Sequence, residues 1–457
     1  MAENFLSLEE YLQIEGTVSK ELDSIYVKNF PLWRLVRNSF RRKVVDNNSR
    51  TVSPNIQLTE ILINFFLSFW GLLKVILTRK NYSNVFFPHS RLFLVDGQYM
   101  ERVSDSLIDY SEIDNDFIIF ERPQNGIHNK PRYHGKKVVF LDFIEGLTRM
   151  ALPIARLIVG WKYNNQIEEL CKLLNDRFGE ANVWQYKRLF ATIASERLLQ
   201  YHLTKVVLDR INPKRIFLAH RETFNYVIVY AKRRGITTIE LQHGITAGET
   251  ILYSGKYNLK IDPDYFFVFG KSNIGPQFSM PIERLINIGF AYKKYIKDIG
   301  LNKYPDNYVL AISEPHISQV FVSTLILIAE AYPQYIIHIR CHPQEKLAKN
   351  TLERISIFDN IKIVDNTCES FCTLSQYTSI IGENSSVLYE AMSLHKKVGR
   401  LNFNGLKVIE SAIIHGGFKI NSVEDFNTFM SQPYNDENDS KDVYSDFNID
   451  AIKCVFD

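Results

Sequence analysis

Short β-branched or aromatic runs alternate with longer segments whose apolar residues recur at helical spacing. Polar or glycine-containing turns separate them. In the first half of the chain this pattern predicts strands within residues 84–95, 117–120, 137–141, 215–219 and 237–241. Helices are predicted at 149–161, 166–177, 181–208 and 225–234. The alternation of strand and helix indicates a parallel sheet with right-handed crossovers, and therefore an α/β fold.

A second series of the same kind is predicted from Tyr265 onward. Small polar residues and Pro263 suggest a linker near residues 254–263. The predicted strands of this series are 266–269, 285–288, 308–312, 336–341, 361–364, 378–381 and 397–401. The chain is therefore divided into a helical region at 1–83, a first Rossmann-like domain at 84–258, a second at 259–430, and a polar tail with a terminal segment at 431–457.

The most apolar run is residues 61–77, ILINFFLSFWGLLKVIL. It is slightly short of a bilayer span and contains Asn64, Ser68 and Lys74. Three interpretations remain open. It is a buried core helix, an interfacial helix anchored by Trp70 and flanking basic residues, or a transmembrane helix.

The composition indicates a globular protein and bears on its binding partners and its compartment. The chain has 457 residues, enough for two full cores, with 46% hydrophobic and 23% charged residues. A net charge of +3 does not favour nucleic acid as a partner. The five cysteines suit a reducing cytosol, and Cys368 and Cys372 lack the second pair of a zinc site. The polar, acidic start of the chain predicts no signal peptide.

Residues 378–394, TSIIGENSSVLYEAMSL, predict a buried strand, a tight turn at Gly382 and a helix. Ser385 and Ser386 stand at the helix start, where free N–H groups and the helix dipole favour an anion such as phosphate. Glu390 follows Ser386 by one helical turn and is the candidate ligand for a ribose. The alternative is an ordinary capped β–turn–α corner.

Further polar side chains follow other predicted strands, at the edge where open α/β sheets bind ligands. Arg340 and His342 fall on one face at the end of 336–341, and Ser313 follows 308–312. The alternatives are a structural role for His342 and a surface ion pair for Arg340. In the first half, His243 follows 237–241, and Glu222 follows 215–219.

These motifs resemble those of a known superfamily. RCHPQE followed by GENSSVLYEA looks like the His-Pro and Ser-Ser motifs of bacterial sialyltransferases and capsule glycosyltransferases, and ELQHG is similar to the Gln-His-Gly segment of capsule and O-antigen transferases, including β-Kdo transferases. Teichoic-acid glycerophosphotransferases share related signatures. The resemblance covers residues 85–401. It implies a GT-B architecture, in which two Rossmann-like domains face a cleft.

The resemblance also implies a reaction and the residue that acts as its catalytic base. It implies transfer of a sugar, favoured to be Kdo or a sialic acid from a CMP-sugar, onto a bacterial surface polysaccharide or lipopolysaccharide. In the glycerophosphotransferase-like relatives the His of His-Gly serves as the base, which matches His243. Sialyltransferases instead use a carboxylate in an acidic-acidic-Gly motif, which this chain lacks. Glu222, beside His220 at a neighbouring strand exit, is the second candidate for the base. The alternative for His243 is a structural loop histidine that holds backbone carbonyls.

No acidic DxD motif follows an apolar strand. The expectation is therefore a metal-independent enzyme without a cofactor, whose co-substrate is a nucleotide-activated sugar and whose other partner is a glycan or lipid-linked glycan. It would act in the cytoplasm, or on the cytoplasmic face of the inner membrane. Three alternatives remain: polyol-phosphate transfer from CDP-glycerol or CDP-ribitol, a non-catalytic binding subunit, and an epimerase of the same architecture.

Overall fold

The chain divides into two compact units in a computed structural model: Met1–Phe267 with Gly275–Ile286, and Val268–Ile274 with Asn287–Asp457. The structure describes residues 8–44, 58–78, 80–111, 116–124, 126–179, 186–244, 253, 256–274, 279–296, 304–315, 317–342, 345, 347–365, 369–408, 416–433 and 443–456. Within these ranges the predicted α/β class, with one Rossmann-like parallel sheet in each unit, is confirmed. The domain boundaries at 83, 258 and 430 stay predictions.

The first unit begins with helices and then alternates strands with helices. Its helices are α1 (Leu8–Leu22), α2 (Leu32–Val44), α3 (Leu58–Thr78), α4 (Ser104–Tyr110), α5 (Asp142–Lys162), α6 (Asn164–Phe178), α7 (Lys187–Ile211) and α8 (Asn225–Arg234). Its strands are β1 (Tyr26–Val27), β2 (Phe30–Pro31), β3 (Asn84–Phe87), β4 (Phe93–Val95), β5 (Gln98–Met100), β6 (Phe117–Glu121), β7 (Val138–Phe140), β8 (Arg215–Leu218), β9 (Thr237–Leu241), β10 (Tyr265–Val268) and β11 (Leu285–Asn287).

Seven of these strands form one sheet in the order β11-β10-β9-β8-β3-β6-β7. The pairs β9–β10, β8–β9, β3–β8, β3–β6 and β6–β7 are parallel. The pattern of the sequence assigned β10 and β11 to the second series, and this assignment is wrong. β10 pairs with β9, and Asp264, just before β10, accepts hydrogen bonds from the amide and hydroxyl of Thr238 at 2.9 and 2.8 Å.

The N-terminal helices belong to the core of this unit. The aromatic rings of Trp33 and Phe40 on α2 pack edge-on against each other, and Phe40 also contacts Phe178 at the end of α6. Arg37 lies fully buried in the same helix, where its guanidinium Nε and Nη2 donate to Glu222 at 2.8 and 2.5 Å. A basic side chain on α2 is thereby joined to the segment that follows β8.

Helix α3 is exposed rather than buried, so the interpretation as a core helix is wrong. Of its side chains, only Asn64, Ser68, Leu72 and Val75 are buried. By length and composition α3 is the one helix among the described residues that meets the criteria for crossing a bilayer. This criterion does not distinguish a spanning helix from one that lies on a surface.

The second unit carries the other sheet. Its strands are β12 (Tyr308–Ile312), β13 (Ile336–Arg340), β14 (Ile361–Val364), β15 (Ser379–Gly382), β16 (Lys397–Leu401) and β17 (Phe418–Ile420). Its helices are α9 (Lys293–Ile296), α10 (Ser318–Ala331), α11 (Lys349–Ile355), α12 (Ser370–Ser375), α13 (Ser386–Ser393), α14 (Val423–Ser431) and α15 (Ile449–Phe456).

The strand order of this sheet is β14-β13-β12-β15-β16-β17, and all five pairs are parallel. β12 therefore lies between β13 and β15, and the carboxyl ends of these three strands meet at one edge. The core beneath them consists of aliphatic side chains from β12, β13 and α10, including Val309, Ile337 and Leu325. This topology brings together the strand ends that the sequence analysis singled out.

We expect Arg37→Ala to lower the free energy of unfolding of the first unit by about 3–5 kcal/mol, because it removes the cation that pairs with the largely buried Glu222 and the buried Glu15. Lys349→Ala removes an exposed pair with Glu353 and should change stability by about 0.5 kcal/mol or less. Urea unfolding followed by circular dichroism measures both. Equal effects of the two substitutions would contradict the structural role of Arg37.

Candidate functional site

Three histidines stand at the carboxyl edge of the first sheet, each two residues beyond the end of its strand. His89 follows β3, His220 follows β8 and His243 follows β9, and these three strands are neighbours. The His243 ring stacks on His89 with centroids 5.5 Å apart and an angle of 12°, and it lies 5.2 Å from the His220 ring. We call these three side chains the histidine cluster.

Hydrogen bonds determine which nitrogen carries the proton when two of these rings are neutral. The amide of Arg91 donates to Nδ1 of His89 at 3.0 Å, and the amide of Thr223 donates to Nδ1 of His220 at 3.3 Å. A ring nitrogen that accepts a hydrogen bond carries no proton, so the proton of each neutral ring is on Nε2. His89 and His220 therefore each present an Nε2–H donor.

His243 differs from the other two. Its Nδ1 is buried, and no hydrogen-bond partner reaches this atom within the described part of the chain. The pKa of His243 lies well below its usual value because of burial, then because of the neighbouring His220 and His89, while the backbone of Ala219 opposes the shift. The ring is therefore neutral near neutral pH.

The other two rings are also held neutral. Burial, followed by the neighbouring His220 and by arginines, lowers the pKa of His89 to about 4. Burial likewise lowers the pKa of His220, although Glu222 opposes the shift. The rings stack rather than converge on one point, and no group of three His, Cys, Asp or Glu side chains among the described residues is arranged to hold a metal ion.

Ion pairs hold the segment that carries His220. Arg221 donates through its Nε to Glu240 of β9 at 2.5 Å, and its own amide donates to the same carboxylate at 2.9 Å. Glu222 accepts from Arg37 of α2. Glu222, the second candidate base, is thus the partner of a buried guanidinium.

In the second unit, Glu345 joins two of the predicted site residues. Its carboxylate accepts from the Ser313 hydroxyl at 2.7 Å and from the His342 amide at 3.0 Å. The Ser313 amide donates to the main-chain oxygen of Arg340 at 3.0 Å. Ser313, Arg340 and His342 are therefore brought together at the ends of β12 and β13, while Pro343 and Gln344 lie outside the described residues.

The predicted strand–turn–helix at 378–394 is present as β15 and α13. Ser385 is the N-cap of α13, with its hydroxyl accepting from the Val387 amide at 3.4 Å, whereas Ser386 is exposed. Gly382 ends β15, and a Cβ there would lie 3.1 Å from Leu388 and 3.4 Å from the oxygen of Ile312. The absence of a side chain at Gly382 thus allows the helix start to approach β12 closely.

Glu390 lies one turn into α13, but its carboxylate is buried and accepts from the Ser370 hydroxyl at 2.5 Å. Ser370 also donates to Glu369 at 3.1 Å, and Glu369 caps α12 by accepting from the Phe371 amide at 2.8 Å. Glu390 therefore connects α13 to α12, and its role as a ribose ligand stays a prediction.

Two cavities lie near these elements. One of about 250 Å³ opens beside Cys341 and Glu345, next to the end of β14. Another, of about 650 Å³, lies in the first unit beside Lys232 and Thr237, where β9 begins. The smaller cavity adjoins predicted site residues, whereas the larger one is at the opposite end of β9 from His243.

Sequence reasoning missed His89 and Glu345. A signal for His89 was present, because PHS follows the strand 84–87 with the same two-residue offset as His220 and His243. Glu345 stands inside the RCHPQE segment, but nothing local indicates that its carboxylate reaches Ser313 across 32 residues of chain.

Comparisons with known proteins concern the fold. A UDP-GlcNAc 2-epimerase from Methanocaldococcus jannaschii superposes with a TM-score of 0.49 at 11% identity, covering 82% of this chain and 98% of that one. A UDP-N-acetylglucosamine 2-epimerase from Rickettsia bellii gives 0.44 at 14%, covering 82% and 95%. The glycotransferase of kitacinnamycin gives 0.42 at 9%, covering 78% and 91%. No protein-family model and no curated protein matches the chain.

The histidine cluster predicts a pH dependence of stability. Unfolded His89 binds a proton near pH 6.5, whereas folded His89 does so only near pH 4. Its contribution to the free energy of unfolding is therefore present above about pH 6.5 and is lost as the pH falls toward 4. We expect His89→Gln to reduce the loss of stability between these two pH values.

Urea unfolding at a series of pH values measures this dependence. Burial raises the pKa values of the carboxylates Glu101 and Glu240. Both groups titrate in wild type and variant alike, so their contributions to stability cancel in the difference between the two proteins. His395→Asn, at an exposed position, is the control and should leave the dependence unchanged. An unchanged dependence in His89→Gln would show that His89 is not held neutral.

Proposed function

We propose that the protein is an inverting, metal-independent glycosyltransferase that moves a sugar from a nucleotide sugar onto a bacterial surface polysaccharide or lipopolysaccharide. Kdo or a sialic acid from a CMP-sugar is the favoured donor, from the motif resemblance. The observation that carries the proposal is the arrangement at the ends of β13, β12 and β15. There Glu345 ties Ser313 to His342, next to the start of α13.

The second unit would bind the nucleotide part of the donor. The first-turn amides of α13 and the exposed Ser386 hydroxyl are donors suited to a phosphate, and the helix dipole favours negative charge there. His342 follows β13, which β12 separates from β15, and adds an imidazole donor. The carboxylate of Glu345 carries a negative charge beside these groups, so its role is to hold the loop rather than to contact phosphate.

The first unit would supply the base. His243 accepts the proton of the acceptor hydroxyl as the oxygen of that hydroxyl bonds to the anomeric carbon of the sugar. The bond from that carbon to the phosphate oxygen breaks, and the nucleotide leaves with the electron pair and an added negative charge. Hydrogen-bond donors stabilise this charge, which is the part of the reaction that a metal ion otherwise serves.

We place the reaction on the cytoplasmic side of the inner membrane, with a glycan or lipid-linked glycan as the acceptor. The alternatives predict different products. Polyol-phosphate transfer from CDP-glycerol or CDP-ribitol yields phosphodiesters that phosphorus NMR detects. An epimerase releases a changed sugar nucleotide without any acceptor, and a binding subunit releases no product.

The first prediction concerns nucleotide binding. CMP should raise the thermal midpoint of unfolding because a ligand that binds only the folded state stabilises it by mass action. Ser386→Ala should reduce this shift without lowering the midpoint of the free protein, since the exposed hydroxyl is not the cap. The panel includes CDP, UDP and GDP, and a preference for UDP or GDP would discard the CMP-sugar assignment.

A matched pair of variants separates capping from binding. Ser385→Ala and Ser422→Ala each remove an N-cap in the same unit, from α13 and α14, at a cost of about 1 kcal/mol. Only Ser385→Ala is expected to reduce the nucleotide shift as well. Equal nucleotide shifts in both variants would remove the start of α13 from the binding site.

The second prediction concerns the base. His243→Gln should lower kcat for sugar transfer by about 10²–10⁴-fold while leaving the nucleotide shift intact, because the imidazole acts on the acceptor. Product formation from a CMP-sugar and an acceptor glycan, followed by mass spectrometry, measures this. His202→Gln, a histidine on α7, is the control and should keep full activity. Unchanged kcat in His243→Gln would favour the binding subunit or another base.

A further inference from the structure

Over residues 62–70, helix α3 buries polar side chains and exposes large apolar ones, the reverse of a helix of a globular core, whereas Leu72 and Val75 further along are buried in the core. The buried stripe contains Asn64 and Ser68, and the exposed face contains Leu62, Phe66 and Trp70, which are 49, 56 and 63% exposed. An amphipathic surface helix normally buries its apolar stripe and exposes its polar one. The apolar face of α3 is therefore directed away from the core of its own unit.

Hydrogen bonds hold this reversed orientation. The Ser68 hydroxyl donates to the main-chain oxygen of Phe140 at 2.5 Å and accepts from the Phe143 amide at 3.0 Å. Asn64 donates to the oxygen of Gly126 at 3.5 Å. Gly71 lies close to the Val139 side chain, where a Cβ would be 3.3 Å away. The polar stripe and the small residue of α3 thus face β7 and the start of α5.

Helix α5 extends the exposed apolar surface. Phe69 contacts Phe143, and Phe65 contacts both Phe143 and the site of Gly146, so the two helices pass each other in opposite directions. Further along α5, Ile154, Leu157 and Trp161 are 67, 70 and 85% exposed. These two packed helices thus carry several large exposed apolar side chains, more than the isolated ones that a soluble surface normally carries. We call this surface the α3–α5 face.

The charges on these two helices are mostly positive where they are exposed. Lys74, Arg149 and Lys162 are exposed, and Glu60 is the exposed acidic residue on α3. The acidic residues of α5 are engaged within the unit: Asp142 accepts from His128 at 2.7 Å and Glu145 from Arg122 at 2.5 Å. The combination of apolar side chains, tryptophan and flanking basic residues matches the interface of a bilayer with anionic headgroups.

We infer that the α3–α5 face docks on an anionic lipid bilayer, with both helices lying in the interface plane. A spanning orientation of α3 would expose Asn64 and Ser68 to hydrocarbon and break the Ser68 hydrogen bonds, which is costly. An interfacial orientation keeps these bonds and buries only the exposed face. This inference does not depend on the reaction proposed above, because none of the site residues lies on these helices.

The test uses the full chain and vesicles of phosphatidylcholine with or without phosphatidylglycerol. The protein should sediment with the anionic vesicles, less with phosphatidylcholine alone, and less at high salt, which screens the basic residues. Phe66→Gln with Leu157→Gln should weaken binding about tenfold or more. Both positions are exposed, so the thermal midpoint of unfolding in solution should stay unchanged.

Control variants test whether vesicle binding depends on the α3–α5 face. Leu352→Gln with Ile357→Gln changes two exposed apolar residues of the second unit, 42 and 76% exposed, and should leave vesicle binding unchanged. Trp70 and Trp161 should shift their fluorescence to shorter wavelength on anionic vesicles, and Trp70→Phe with Trp161→Phe should abolish that shift.

Two results would overturn the inference. One is the absence of sedimentation with any vesicle. The other is a dimer in light scattering that Phe66→Gln with Leu157→Gln converts to a monomer, since a second copy of the chain would then cover the face. The nucleotide-induced thermal shift is measured separately without lipid, so failure of membrane docking and failure of the proposed reaction are distinguishable.

Discussion

The ion pairs around residues 220–222 determine what the edge of the first sheet can present. His220, Arg221 and Glu222 are consecutive, and each engages a different element: the His243 ring, Glu240 of β9 and Arg37 of α2. Burying these charges costs solvation energy that only close pairing offsets. Arg221 and Glu222 are both engaged in ion pairs, and the ring of His220, next to them in sequence, lies against His243. The histidine cluster therefore depends on contacts made by its neighbours in sequence.

The two units hold polar groups at the carboxyl ends of their strands by different interactions. In the first unit, buried guanidinium–carboxylate pairs fix the segment after a strand. In the second, a single carboxylate, Glu345, bridges the hydroxyl of Ser313 and the amide of His342, and Gly382 lets α13 approach β12. Both arrangements pre-position polar groups at carboxyl ends of parallel strands, the edge at which open α/β sheets bind ligands.

Local patterns predicted most of the second sheet and the order of its strands along the chain. The predicted strand 308–312 coincides with β12, and 397–401 with β16, because buried parallel strands are apolar along their whole length. The placement of β10 was not predictable in this way. Its sequence is equally apolar in either sheet, and its pairing with β9 depends on long-range contacts such as that of Asp264 with Thr238. The same limit applies to α3, whose hydropathy suggested a core although its apolar face points outward.

The common two-residue offset of His89, His220 and His243 from their strands has a consequence for how this edge can vary. Phe87, Leu218 and Glu240 stand at one register, so His89 and His220 lie at the same level and His243 lies one residue further along its chain segment. Inserting one residue between Leu218 and His220 would shift that ring along the chain and turn it toward a different side. Substitutions at intervening positions such as Ala219 would preserve the spacing. We therefore expect the number of residues between each strand and its histidine to tolerate less change than the identity of those residues.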